Sequence, residues 1–153
     1  MKFIVQIEGE ILMIRANIKK VFNCEPEKLW NIVTDNIHYS WRSDISKIEV
    51  VNDVEFIEYS SNEYPTYFTI TSSHKLERYS FNLNNSNIRG RWTGLFKVLD
   101  DSTVEIDFTE EIEVNNFIMK LFAKSYLKKQ QRLYIKDLER VLNREQAHDE
   151  HGK

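Results

Sequence analysis

From Ile45 onward apolar and polar residues alternate with a period of two, and the alternation holds for about seventy residues. Ile48 and Val50 share one parity; Val54 to Tyr59 follows an Asn52-Asp53 turn; Thr66 to Ser73 carries Phe68 and Ile70; Glu77 to Asn84 carries Tyr79, Phe81 and Leu83. Each set falls on one face of a strand. Two longer runs, Ile88 to Leu99 and Thr103 to Val114, meet at Asp100-Asp101-Ser102. In the second, Val104, Ile106, Phe108, Ile112 and Val114 alternate with Glu105, Asp107, Glu111 and Glu113; in the first, Ile88, Trp92, Phe96 and Val98 alternate with Arg89, Arg91 and Lys97. An acidic outer row beside a basic one predicts an antiparallel hairpin in that register.

Before this run, Lys2 to Asn23 is also strand-like, with Glu8-Gly9-Glu10 marking either a turn or a bulge. Pro26 then opens a helix, because the N–H it lacks would be unpaired there. Leu29, Trp30, Ile32 and Val33 form its apolar stripe, and it stops near Asp35. His38 to Asp44 reads as a loop or one more helical turn, giving two short helices after the first strand.

The period changes once more after Val114. Phe117 to Leu142 contains no Gly or Pro and predicts one long helix, capped by Asn115 or Asn116. In its second half Leu127, Leu133, Tyr134, Leu138 and Val141 fall opposite Lys128, Lys129, Arg132, Lys136 and Arg140. In its first half Phe117, Ile118, Met119, Leu121, Phe122 and Ala123 are apolar nearly all round, which calls for cover on every side, a partner or a ligand. A sheet with one apolar face needs a lid, and this helix is the only long one available. We expect one domain over residues 1–143 and a flexible polar tail over 144–153.

Composition narrows the function. At 153 residues the chain buries a core without a staple, and Cys24 is its only cysteine. A net charge of −3 argues against a nucleic-acid partner. The basic positions at Lys120, Lys124, Lys128, Arg132 and Lys136 drift round the helix by about 40° per step, so they describe a solvated face rather than a patch. No run reaches the roughly 18 apolar residues of a membrane span, and no leader is read at the N-terminus. A reducing cytoplasm is the expected setting. No nucleophile elbow, phosphate loop, dinucleotide motif or zinc pattern occurs, so no cofactor and no metal are expected; His148 and His151 alone make a weak ligand pair.

The segment CEPEKLWNIVTD, Cys24 to Asp35, followed by Trp41, resembles the start of the SRPBCC superfamily, whose START-like, helix-grip members include polyketide cyclases, lipid-transfer domains and plant pollen allergens. In that pattern an Ala-Pro-x-x-x-Val-Trp-x-x-x-x-Asp helix precedes a tryptophan. Cys24, Leu29, Trp30, Asp35 and Trp41 take matching places, although the proline falls at Pro26. The resemblance covers about Ile14 to Leu142. It implies an α+β helix-grip fold, in which a curved antiparallel sheet of six to seven strands wraps the last helix around a cavity. The matching residues mark the fold, and no catalytic set carries over.

Candidate site residues follow from parity. Trp41, Phe68, Tyr79, Phe81, Trp92, Phe96, Phe108, Met119 and Ala123 are expected to line the interior, as pocket wall or as core. Gly90 and Gly94 flank Trp92 and either bend the sheet or leave room for a ligand. Glu110 falls on the inward parity, unless a bulge at Glu110-Glu111 turns it to water. Arg42 and Asp44 form a local ion pair or stand at a cavity mouth, and His74 closes a strand either at the surface or as a catalytic base. Tyr59, Tyr64 and Tyr67 make a tyrosine-rich hairpin tip.

Three functions fit. The first is a carrier or sensor of a hydrophobic small molecule, lipid or polyketide-like. The second is a cyclase or dehydratase, which requires at least two of Glu110, Arg42, Asp44, His74 and Tyr79 to converge inside. The third is a protein-interaction module like the Hsp90-activator relatives of the superfamily, which predicts a closed cavity and an exposed apolar patch near Ile118 and Phe122. The hydrophobic ligand is the favoured partner, with a homodimer left open.

Overall fold

The computed structural model describes residues 13–114 and 117–151, without the side chains of 117, 119 and 148–151. The part of the strand-like N-terminal run that precedes Met13, the cap at Asn115 or Asn116, the inward placement of Met119 and the His148/His151 pair lie outside what is described.

The elements run β1 (Met13–Phe22), α1 (Pro26–Thr34), β2 (Ile45–Val50), β3 (Glu55–Ser60), β4 (Pro65–His74), β5 (Arg78–Asn84), β6 (Ile88–Asp100), β7 (Thr103–Val114) and α2 (Phe117–His151). The seven strands form one antiparallel sheet in the order β1-β7-β6-β5-β4-β3-β2. Strands β2 to β7 follow one another as a meander, and β1 closes the β7 edge. The charge rows meet as their alternation predicts: Arg89 pairs with Glu113, Arg91 with Glu111 and Lys97 with Glu105.

Only one helix follows β1 among the described residues, where the sequence predicts two. Asp35 Oδ1 accepts the backbone N–H groups of Ile37 (2.8 Å) and His38 (3.1 Å), which diverts the chain from the helix. What remains of the second helix is a single turn, with Arg42 N donating to Tyr39 O at 3.0 Å. At the other end, α2 continues past Leu142 to His151, through the residues expected to form a flexible tail. Gln146 Nε2 donates to Asn23 O at 3.1 Å, and Glu145 faces Lys28 at 3.6 Å, so part of this extension meets the start of α1.

Buried apolar side chains fall into three clusters. The largest joins α1 (Leu29, Trp30, Val33) to β5–β7 and to Ile135, Leu138 and Leu142 of α2. A second joins Ile14 and Ala16 of β1 to Ile112, Val114, Ala123 and Leu127. A third holds Ile48, Phe56, Phe68 and Leu83 on β2–β5. The axis of α2 lies nearest β1 and β7. Gln131 is buried there, and its Nε2 donates to Ala16 O (2.9 Å) and Phe108 O (3.4 Å). A helix drawn to that edge leaves the inner faces of β3–β5 across a gap, and the three clusters do not merge into one core.

Candidate ligand cavity

That gap is a cavity of about 580 Å³. Its walls come from the sheet (Phe56, Phe68, Phe81, Trp92, Phe108) and from α2 (Ala123, Leu127, Tyr134), with Ile118, Phe122 and Tyr126 toward the start of the helix. Ile118, Leu121 and Phe122 are about two-thirds exposed, at 66%, 65% and 67%. The first half of α2 is therefore covered on one side only. Tyr64, Asn85 and Asn87 of the β3–β4 and β5–β6 tips also line the space, and the Tyr64 hydroxyl bonds Ser86 Oγ between those tips.

Aromatic rings form a continuous wall. Phe81 stacks on Trp92 (4.9 Å between centroids, 8° between planes), and Trp92 meets Phe108 at 4.8 Å. Gly94 explains how the indole fits. A Cβ at Gly94 would stand 2.4 Å from Trp92 Cη2, so the missing side chain makes room for Trp92 itself and not for a ligand. A Cβ at Gly90 would stand 2.2 Å from the backbone O of Glu111, so that glycine permits a close strand approach.

Among the described residues, four charged side chains line the cavity: Arg42, Asp44, Glu58 and Glu110. Arg42 donates from Nε to Asp44 Oδ1 (3.1 Å), from Nη2 to Asp44 Oδ2 (2.8 Å) and from Nη1 to Glu58 Oε1. Its guanidinium carbon lies 5.3 Å from the Tyr134 ring centroid. Burial opposes the charge on Arg42, but Glu58 and Asp44 outweigh it and hold the guanidinium firmly protonated. The loop is fixed from behind. Asp137 of α2 is fully buried, accepts Ser43 N (2.8 Å) and Ser43 Oγ (2.9 Å), and pairs with Arg140 at 2.5 Å.

Glu110 stays in register, opposite Ala16 on β1 and Trp92 on β6, so no bulge turns it to water. Burial raises its pKa to about 7; Glu58 and Asp44 add to the rise and Arg42 opposes it. Burial also raises the Tyr79 and Tyr134 phenols, so both stay protonated at neutral pH. Because Glu110 binds its proton more tightly folded than unfolded, its contribution to stability is full below about pH 4.5 and falls until about pH 7. Each unit of that shift corresponds to about 1.4 kcal/mol. Glu110→Gln should remove the decline and stabilise the fold by about 1–2 kcal/mol at neutral pH relative to wild type. Urea unfolding of both proteins at several pH values checks this.

The parity-based assignments divide. Phe68, Tyr79, Phe81, Trp92, Phe108 and Ala123 reach the cavity, as do Glu110, Arg42 and Asp44. Phe96 belongs to the core, packed edge-on against Trp30 at 5.0 Å, and Trp41 packs against the same core, edge-on to Tyr134 at 5.3 Å. His74 is exposed at the end of β4 and takes no part in the cavity wall. Sequence reasoning overlooked Glu58 and Tyr134 as site residues. Glu58 shares parity with Phe56 and could have been found that way.

No family model matches the chain, and no curated protein matches it. Solved structures do. A START superfamily protein from Mycobacterium smegmatis superposes with a TM-score of 0.74 at 10% identity, over 86% of this chain and 97% of that one. Norcoclaurine synthase from Thalictrum flavum, in complex with dopamine and hydroxybenzaldehyde, gives 0.67 at 10% identity over 92% and 91%. The di-domain aromatase/cyclase of the BE-7585A biosynthetic pathway gives 0.72 at 8% identity, over 84% of this chain and 46% of that one. The chain has the α+β helix-grip fold that these START-like proteins share.

Proposed function

We propose that this helix-grip chain carries or senses a hydrophobic small molecule, lipid or polyketide-like, held between the sheet and α2. The observation that carries the reading is the cavity of about 580 Å³, walled by stacked aromatic rings and open beside exposed Ile118 and Phe122. A volume of that size suits a ligand of drug-like dimensions. A buried thiol at Cys24, the one cysteine, agrees with a reducing cytoplasmic setting. The interaction-module reading fits less well. It expects exposed apolar residues at Ile118 and Phe122, which are present, but also a closed cavity, whereas these exposed residues line the space.

The neutral fluorescent probe N-phenyl-naphthylamine should bind saturably, brightening as it leaves water and quenching tryptophan emission. Ala123 is buried on the helix side of the cavity, so Ala123→Phe directs a ring into the empty space. That variant should fold and bind the probe at least roughly tenfold more weakly, a change of about 1.4 kcal/mol. Unchanged binding would mean that the probe sits elsewhere and would sink the reading.

A second reading has support of its own. Glu110, Arg42, Asp44 and Tyr79 converge on one cavity, which meets the requirement for acid–base cyclase or dehydratase chemistry. A carboxyl whose pKa lies near neutrality can both give and take a proton. Turnover of a β-hydroxyketone to the conjugated enone, lost in Glu110→Gln, would favour the enzyme over the carrier.

A further inference from the structure

We propose that the cavity selects an amphipathic cation, with its apolar, ring-bearing body against the aromatic wall and a protonated amine beside Glu110. The proposal rests on the ligand-cavity reading above and names the chemical class that cavity takes.

The charge balance is the first argument. Among the described residues, the cavity wall carries three carboxyl groups, Asp44, Glu58 and Glu110, against one cation, Arg42. A carboxylate ligand would therefore enter a site already rich in negative charge. Arg42 is not available to offset it. All three guanidinium nitrogens are engaged by Asp44 and Glu58, and one face lies over Tyr134. An anion would have to break an ion pair whose side chains are only 14% to 19% exposed.

The unpaired polar groups are the second argument. Among the described residues, no hydrogen bond reaches the Glu110 carboxyl or the Tyr134 hydroxyl, and no side-chain polar atom is sealed away without a partner. Both groups accordingly open on the cavity. An ammonium group has three donors and no acceptor, which suits a carboxylate such as Glu110. Trp92, paired with Glu110 across the β6–β7 seam, adds an aromatic ring of the kind that attracts a cation. A neutral ligand gains the apolar contacts alone.

The pH dependence of binding follows. Glu110 is faced by Arg42 and Asp44 from the α1–β2 loop, by Glu58 from β3 and by Tyr126 from α2; it is flanked on the sheet by Ala16 and Trp92, and Tyr79 and Tyr134 line the same cavity. The tyrosines are held protonated, and Arg42 stays charged, so Glu110 is the group that changes near neutral pH. An ammonium ligand favours ionised Glu110, so its affinity rises as pH climbs through about 7.

Three probes on one frame test this: phenylhexylamine, phenylhexanol and phenylhexanoate, titrated calorimetrically into the full chain. The amine should bind roughly tenfold more tightly than the alcohol above neutral pH, with the carboxylate weakest. Amine affinity should rise by roughly tenfold between about pH 6 and about pH 8.5, while alcohol affinity does not rise. Glu110→Gln should erase the amine preference and the pH rise and keep alcohol binding. Alcohol binding with the carboxylate equal to or tighter than the amine would overturn the proposal and leave the ligand-cavity reading standing. Failure of all three probes, and of N-phenyl-naphthylamine, would overturn both. Should Glu110→Gln not fold by circular dichroism, the wild-type ranking and its pH profile decide the matter alone.

Discussion

Asp137→Ala should cost about 4 kcal/mol of stability and release the loop that carries Arg42. Asp137 is fully buried, and its carboxylate is the shared acceptor for Ser43 N, Ser43 Oγ and Arg140 Nη2. Hydrogen bonds to a charged group contribute about 1.5–3 kcal/mol each, and removing one member of a buried pair typically costs about 3–5 kcal/mol. Arg140 is half-exposed and recovers water, so the effect sits within that range and not above it. The loss reaches the cavity as well. Ser43 lies between Arg42 and Asp44, and its backbone N–H is tied only to Asp137 among the described residues. Asp137→Asn keeps the shape, offers one carbonyl oxygen and should cost about half as much. Urea denaturation of the three proteins measures the ordering, and a loss below about 1 kcal/mol for Asp137→Ala would show that Ser43 is held by something else.

Gly90→Val should destabilise by about 3 kcal/mol, the upper part of the range for overpacking. The obstacle at Gly90 is backbone: the new Cβ would meet Glu111 O at 2.2 Å and the Ile112 Cα at 3.0 Å. Backbone cannot swing aside as a side-chain end can, so β6 and β7 must separate where Gly90 pairs with Ile112. Gly94→Ala makes the informative contrast. There the nearest atoms are the far edge of the Trp92 indole, at 2.4 and 2.7 Å. Trp92 can tilt toward the cavity, so the variant should lose less stability and show a shifted tryptophan emission. Thermal unfolding followed by near-UV circular dichroism separates the two. Equal losses would mean that the indole is as immovable as the strand.

Much of this architecture is readable from parity. The β7 alternation places Val104, Ile106, Phe108, Ile112 and Val114 inside, and it places Glu110 there too. The charge rows of β6 and β7 fix their mutual register without help from the turn. What parity does not carry is distance across the interior. Phe96 and Phe108 look alike in sequence, yet Phe96 is covered by Trp30 while Phe108 borders open space. That difference depends on where along the sheet α2 comes to rest, which Gln131 and Asp137 decide through partners 115 and 94 residues away. Both are polar residues on a helix face that should be apolar, and that mismatch was the available signal. Glu58 was legible by parity with Phe56, but a carboxylate among strands reads first as a solvated position. The second short helix shrinks to a single turn, while Asp35 takes the Ile37 and His38 N–H groups that a continuing α1 would have used.

The seam between β1 and β7 also governs how quickly the molecule can assemble. Every other strand pair joins neighbours in sequence, so each hairpin of the meander closes a short loop. At the β1 seam, Asn17 Nδ2 reaches Asp107 Oδ1 across a sequence separation of 90. The entropy of loop closure grows with the logarithm of loop length, and pairings of long range slow the search for the native state. The meander can therefore order first, with β1 and the Gln131 anchor joining afterward. Until they do, the β7 edge is an unpaired strand. Its alternating acidic residues, Glu105, Asp107, Glu111 and Glu113, then guard a half-formed molecule against pairing with its own kind.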